Sequence, residues 1–401
     1  MPEQSTDKRK RLAIVTTVWR YLSHAQHMGD RFLVGYPWEG RWHRPEMDVV
    51  SLYVDQKPEG DQSASRAEAF GFKIYPTIAE TLRCGGDKLA VDGVIIIGEH
   101  GDYPVNAKGQ IQYPRYEFFE QVVKVFEADG HGVPVFNDKH LSYSFEKASK
   151  MVAESKRLPF PFLAGSSLPV TWRLPSIELP LDCTIDEALM VGVGGSDAMD
   201  YHALEAMQCM LERRRNGETG VKAVQLIQGP AVWQAGQDGR WSRRLLEAAL
   251  ARSLSRSGKG LEDGRTQDLT HSGELEALVQ DPAAYLIEYN DGLRATLLML
   301  NGAVSDFTFA CRLRGPEPLV SLNFLLPVLP NVAYSSCLMH KVEQMIATGK
   351  APYPVERTQI TCGILDMCLE SKARGNIRWP TPQLQVAYRA PLQSHFGGAT
   401  A

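Results

Sequence analysis

The run Val91-Asp92-Gly93-Val94-Ile95-Ile96-Ile97 limits the fold most, because it is apolar on both faces. A strand of that kind belongs inside a parallel sheet with helices on either side. The segments around it alternate in the same sense. Strands are predicted over 12–15 and 49–54, the second closing on Asp55, and helices over 64–72 and 78–82. A helix over 116–128 turns Phe118, Phe119, Val122, Val123 and Phe126 to one side. A strand at Val133, a helix over 145–155 and a strand at Phe160 complete the series. Repeated strand–helix alternation predicts a doubly wound parallel sheet.

The pattern changes near Pro169. Residues 188–200 are rich in glycine and small side chains, and a helix is predicted over 201–215. Segments 221–229, 285–288, 292–300, 306–313 and 320–325 alternate as half-buried antiparallel strands do. A last helix covers 355–371, the tail from Pro380 is extended, and 253–272 is a polar, glycine-rich exposed loop. The fold class expected is α/β: an N-terminal Rossmann-like doubly wound parallel sheet plus a C-terminal α+β domain with a large, mainly antiparallel open sheet. Residues 1–11 are expected as a disordered tail, 12–168 as the first domain and 169–401 as the second. A chain of 401 residues has ample material for both cores.

Composition narrows the partners. A formal net charge of −4 argues against nucleic acid and anionic membranes as partners, and no apolar run is long enough to span a bilayer. The basic N-terminus lacks the apolar core of a signal peptide. Seven cysteines lie scattered without C-x-x-C pairing, so a reduced, cytoplasmic setting is expected and a structural zinc site is not. Cys362 and Cys368 read as core thiols, and Glu212-Arg213-Arg214-Arg215 as a solvated helix end.

Three segments carry candidate chemistry. The loop Gly98-Glu99-His100-Gly101-Asp102-Tyr103 follows the third strand directly, at the carboxyl end where open α/β sheets bind ligands. Arg115 follows shortly and can hold a carboxylate or hydroxyls. The alternatives are a solvated loop with a capping aspartate and an arginine packed at a helix start. Asp138-Lys139-His140 ends another strand. A lysine beside a desolvated pocket can act as acid or base, and His140 adds a group titrating near neutral pH. Asp197-Ala198-Met199-Asp200-Tyr201-His202-Ala203-Leu204-Glu205 places a further histidine at a helix start, with Glu205 one turn from Tyr201.

A dinucleotide site needs G-x-G-x-x-G after the first strand, so that the backbone can approach the pyrophosphate. Here the glycine slots hold Thr16, Val18 and Tyr21. Arg20 either meets a phosphate or lies on the surface. Asp55 either binds ribose hydroxyls or starts the turn before Lys57-Pro58, beyond an insertion around 33–40.

Taken together, Asp138-Lys139-His140, His202, His24 and the run Pro352–Thr358 before the closing helix resemble the glucose-fructose oxidoreductase / inositol dehydrogenase / MocA-like family. The family carries Glu-Lys-Pro at the first of these positions and Asp-x-x-x-His at the second. Here the proline is His140 and the aspartate, Asp197, lies five residues before His202. The resemblance implies an oxidoreductase acting on a sugar, inositol or related cyclic polyol with NAD or NADP. It implies catalytic roles for Lys139, His202, Asp138 and His140. Thr16, Val18, Arg20, Tyr21, Asp55, Gly98, Glu99 and His100 would face the cofactor. Asp102, Tyr103, Arg115, Asp197, Tyr201 and Glu205 would face the substrate. A homo-oligomer formed through the second-domain sheet is also implied. The missing glycines keep two alternatives open. One is a lyase, isomerase or hydrolase using the same lysine and histidine, with a divalent metal on His100, Asp102, His202 and Glu205. The other is a non-catalytic ligand-binding relative.

Overall fold

The computed structural model describes residues 9–195, 197–258, 270–315 and 319–398. Most of the expected N-terminal tail and the centre of the 253–272 loop lie outside the described residues. The first half contains β1 (Lys10–Thr16), α1 (Asp30–Val34), β2 (Tyr36–Trp38), β3 (Arg41–His43), β4 (Met47–Val54), α2 (Ser63–Phe70), β5 (Lys73–Ile74) and α3 (Ile78–Arg83). It continues with β6 (Gly93–Ile97), α4 (Arg115–Asp129), β7 (Val135–Asp138), α5 (Phe145–Arg157) and β8 (Phe162–Gly165). Six strands form one parallel sheet in the order β5-β4-β1-β6-β7-β8. All five residues of β6 are buried, as a strand apolar on both faces demands. Helix α5 buries Phe145, Ala148, Met151, Val152 and Ser155, a stripe at helical spacing that seats it on the sheet.

The second half adds β9 (Trp172–Leu174), β10 (Ile185–Gly192), α6 (Asp197–Leu211), β11 (Val221–Gln228), α7 (Pro230–Gln237), α8 (Arg243–Leu250) and α9 (Glu274–Leu278). Then come β12 (Ala283–Tyr289), β13 (Arg294–Met299), β14 (Phe307–Leu313), β15 (Leu319–Leu325), α10 (Ser335–Thr348), α11 (Glu356–Ala373) and β16 (Trp379–Pro380). The sheet order is β16-β11-β12-β13-β10-β14-β15-β9, antiparallel except for β10 beside β13. The expected two-domain α/β architecture is thus present.

The structure corrects several local readings. The glycine-rich stretch 188–200 contains most of β10, and the helix after it starts at Asp197 instead of 201. β10 is a central strand: Ala188 and Met190 pack into one core, Leu189 and Val191 into another. A Cβ on Gly192 would sit 3.0 Å from the Ala203 methyl, so this glycine serves close strand–helix packing. The Glu212–Arg215 run is not a solvated helix end. Glu212, Arg213 and Arg214 are buried. Arg357 donates to both Glu212 oxygens at 2.8 and 2.6 Å, and Arg214 pairs with Glu218 and Asp291. The reason is tertiary: α11 and the C-terminal tail fold back over this helix end, and the Tyr388 hydroxyl also donates to Glu212.

Five helices among the described residues escaped the sequence reading: the short α1 and α7 to α10. Residues of α7, α8 and α9 cover one face of the second sheet, while α6 and α11 lie on the other. Helix α10 returns to the first sheet, packing Leu338, Met339, Val342 and Ile346 among Leu12, Ile14, Ile95 and Phe136. The insertion around 33–40 is the β2–β3 hairpin.

Candidate active site

The carboxyl ends of β1, β6 and β7 meet where the chain reverses direction in the sheet, the place where open α/β folds bind ligands. Lys139 follows β7 in the left-handed region (φ 60°), held there by its N–H on the Gly165 carbonyl at 3.1 Å. A non-glycine residue in that region costs energy and persists where the surroundings dictate it. The side chain is buried, and Nζ donates to Glu99 Oε1 at 3.0 Å. Arg115 takes the other oxygen of the same carboxylate. A Cβ on Gly98 would lie 2.6 Å from Arg115 Cγ, so the glycine makes room for arginine. Arg115 Nη1 also reaches His140 Nε2 at 3.2 Å, which places the ring proton of His140 on Nδ1. Glu99, Arg115, Lys139 and His140 therefore form one buried network. Burial alone would raise the Glu99 carboxyl, but Lys139 and Arg115 outweigh it and hold it well below the usual range.

Histidines surround this network. His24 Nδ1 donates to Asp138 Oδ2 at 2.6 Å, and its ring lies 4.9 and 5.0 Å from those of His27 and His100. His100 is also left-handed (φ 69°). Burial, followed by the neighbouring His24, pushes His100 down to about 4. Burial also lowers His202 well below its usual value, helped by the Lys139 charge. Both imidazoles are therefore neutral at neutral pH and available as proton acceptors. His27 Nδ1, His100 Nε2, His140 Nδ1, His202 Nδ1 and Asp138 Oδ1 are buried without hydrogen-bond partners. Such groups are costly unless a ligand or water meets them. His202 opens on a cavity of about 530 Å³ that Trp172, Met199, Asp306, Asn323 and Tyr334 also line. That volume suits a small molecule.

The remaining candidates are placed as follows. Tyr201 is buried with its ring 5.1 Å from that of His140. Asp197 is buried near Arg115 and Glu99, and burial raises its carboxyl. Asp200 turns to the second sheet, where it accepts from Tyr285, and burial raises it to about 6. Neither aspartate is hydrogen-bonded to His202 Nδ1. Glu205 Oε2 accepts from the Ser166 N–H at 2.9 Å and hydroxyl at 2.6 Å. Asp102 is exposed while Glu205 is buried, and among the described residues His100, Asp102, His202 and Glu205 do not come together at metal-ligand distances. His27, Trp172, Met199, Asp306, Asn323 and Tyr334 had no signal in the sequence, because only the tertiary fold brings them to the site.

The expected cofactor residues form a different arrangement from a dinucleotide seat. Thr16 and Val18 are buried, and Thr16 Oγ1 is spent on the Ile97 carbonyl at 3.0 Å. Arg20 bridges Asp61 through the backbone, and the Gln62 N–H donates to the Trp19 carbonyl at 2.7 Å. Tyr21 is exposed. Asp55 accepts from the hydroxyls of Tyr53 at 2.7 Å and Tyr103 at 2.8 Å. The Gln56 side chain meets both the N–H and the carbonyl of Asp102 at 2.9 Å. In the order β4-β1-β6, the loop after β6 thus reaches over the end of β1 to the residues after β4. That is the crevice a pyrophosphate and its ribose would need, and the chain's own side chains span it. The residues do not fit a dinucleotide bound in the usual way.

No family model matches this sequence, and no curated protein matches it. Solved structures do share its fold. GenD2 from gentamicin A biosynthesis, in complex with NAD, matches with a TM-score of 0.53 at 14% identity, over 95% of this chain and 99% of that one. A probable dehydrogenase from Thermotoga maritima matches with a TM-score of 0.55 at 10% identity, over 93% and 99%. A myo-inositol dehydrogenase from Lactobacillus casei, in complex with NAD(H) and myo-inositol, matches with a TM-score of 0.51 at 12% identity, over 92% and 96%. The likeness is one of fold: the two domains are arranged as in these dehydrogenases. Among the described residues no helix is long and apolar enough to cross a membrane.

Proposed function

We propose that this chain is an enzyme of the dehydrogenase fold whose pocket takes a sugar, inositol or related cyclic polyol. Its chemistry is proton transfer by Lys139 and His202, of the lyase, isomerase or hydrolase type. The observation that carries this reading is the Lys139–Glu99–Arg115 network beside a neutral, half-buried His202 that opens on the cavity. In this reading a substrate oxygen lies at the Lys139 ammonium, which stabilises developing negative charge and supplies the proton that oxygen takes up. His202 accepts the proton, being an uncharged base that feels that charge and opens on the cavity. The unpartnered nitrogens of His100 and His27, with Asp138 Oδ1, supply partners for further hydroxyls. Glu99 keeps two buried cations compensated without touching the reacting atoms.

A second reading is supported by the fold: hydride transfer with NAD or NADP, as the neighbours' bound cofactors suggest. In that reading Asp55, directly after β4, would be the acid that binds the ribose hydroxyls. It requires Tyr103 and Gln56 to release Asp55 and Asp102. A homo-oligomer remains a proposal in either reading. The outer face of the second sheet carries α7–α9, so the contact would be made with that helical layer.

The test is a panel of sugars and inositols incubated with the protein in D₂O, followed by NMR for carbon-bound deuterium, isomerised product or eliminated product. Turnover by the native chain should fall by about 10²–10⁴-fold in His202→Asn and in Lys139→Met. Turnover unchanged in both variants would overturn the assignment.

A further inference from the structure

The β2–β3 hairpin lies at the amino end of β4, opposite the carboxyl end where Lys139 stands. Tyr36 and His43 are cross-strand partners in it, and the hairpin packs on α10. Helix α10 buries Leu338, Met339, Val342 and Ile346 against the first sheet. That fixes its rotation and presents His340 and Glu343, one turn apart, to the hairpin. His43 Nε2 lies 2.7 Å from Glu343 Oε2, the Tyr36 hydroxyl donates to the same oxygen at 2.6 Å, and it lies 3.2 Å from His340 Nδ1. Trp38 stacks on the His340 ring at 4.1 Å and 17°. One ligand atom from each of His43, His340 and Glu343 lies within 4.8 Å of the others.

We propose that His43, His340 and Glu343 bind a divalent transition-metal ion, zinc foremost, which fastens the hairpin to α10. Two imidazoles and one carboxylate are a zinc-type donor set, whereas calcium and magnesium call for oxygen ligands throughout. Three protein ligands leave a fourth position for water. The surroundings are those of a supported site: Trp38 sets the plane of one imidazole and Tyr36 orients the carboxylate, the kind of outer partner that tunes metal affinity. No cysteine takes part, so the scattered thiols do not bear on it. The position at the amino ends of the strands, away from Lys139, gives the ion a fastening role that adds to the contacts Tyr36 and Trp38 make with α10. The rival arrangement is a His–Glu–Tyr hydrogen-bond network that is complete without metal.

The experiment uses the full chain after chelation. Zn²⁺ is titrated by calorimetry, Co²⁺ serves as a visible-spectrum probe, and thermal unfolding is followed with and without metal. One ion per chain, a tetrahedral Co²⁺ spectrum and a metal-dependent rise in Tm are expected. His43→Ala, at a half-buried position that leaves α10 packed, should abolish all three. Tyr36→Phe should weaken binding by roughly 10–100-fold while keeping the spectrum. Absence of stoichiometric binding would overturn the proposal. So would binding that survives His43→Ala, which would put the ion elsewhere, for instance among the histidines around His24.

Discussion

Lys139 Nζ and Glu99 Oε1 are joined across 3.0 Å in the interior, and Arg115 holds the other oxygen of that carboxylate. One anion thus compensates two buried cations. Removing it leaves both without a counter-charge, a loss that costs far more than a surface pair. Glu99→Gln should destabilise the fold by about 3–5 kcal/mol in urea unfolding. A change within the error of the measurement would mean that water reaches these charges.

Gly98 bears on the same network through space. A methyl group there meets Arg115 close to its backbone, where the side chain has least freedom to move. Gly98→Ala should cost about 1–3 kcal/mol and lower activity by drawing Arg115 off Glu99. A variant with native stability and turnover would contradict this packing.

Acid sensitivity follows from His100. Its folded-state value of about 4, set by burial and then by His24, lies below the ordinary 6.5. The unfolded chain therefore binds the proton first. The stability involved is fully present above about 6.5 and is lost as pH falls toward 4. The charges of Glu99, Lys139 and Asp138 also act on this ring. His100→Asn tolerates the left-handed backbone and removes the titration. Unfolding measured from pH 7 to 4 should fall less steeply in the variant, and parallel curves would refute the assignment.

Glu205 works in the opposite sense. Burial raises it to about 7, against hydrogen bonds from Ser166, so the folded state binds the proton first. Its contribution is present below about 4.5 and is lost as pH rises through 7. Glu205→Gln keeps an acceptor for Ser166. Its stability relative to the native chain should improve between pH 5 and pH 8, where a constant difference would be inconsistent with a raised carboxyl.

Much of the frame was legible because strands such as Val94–Ile97 are apolar on both faces and α5 keeps strict helical spacing. Lys139 and His202 were legible from their place at the ends of elements. The partners were not. Gly98 and Glu99 were both read as facing a cofactor, whereas Arg115 packs against the glycine and pairs with the glutamate. β10 was hidden because its glycine serves packing on Ala203, and the Glu212–Arg215 run because the fold brings Arg357 of α11 to Glu212 and Asp291 to Arg214. The latch from Tyr103 to Asp55 and from Gln56 to Asp102 is likewise long-range, and local pattern carries no trace of it.

That latch bears most directly on the central claim, that the dehydrogenase frame here performs proton transfer without a freely exchanging dinucleotide. The decisive measurement is calorimetric titration of the full chain with NAD⁺, NADH, NADP⁺ and NADPH, to concentrations on the order of millimolar. No saturable heat is expected from any of the four. A one-site isotherm with any of them, abolished by Asp55→Ala, would contradict it and establish hydride transfer as the better reading.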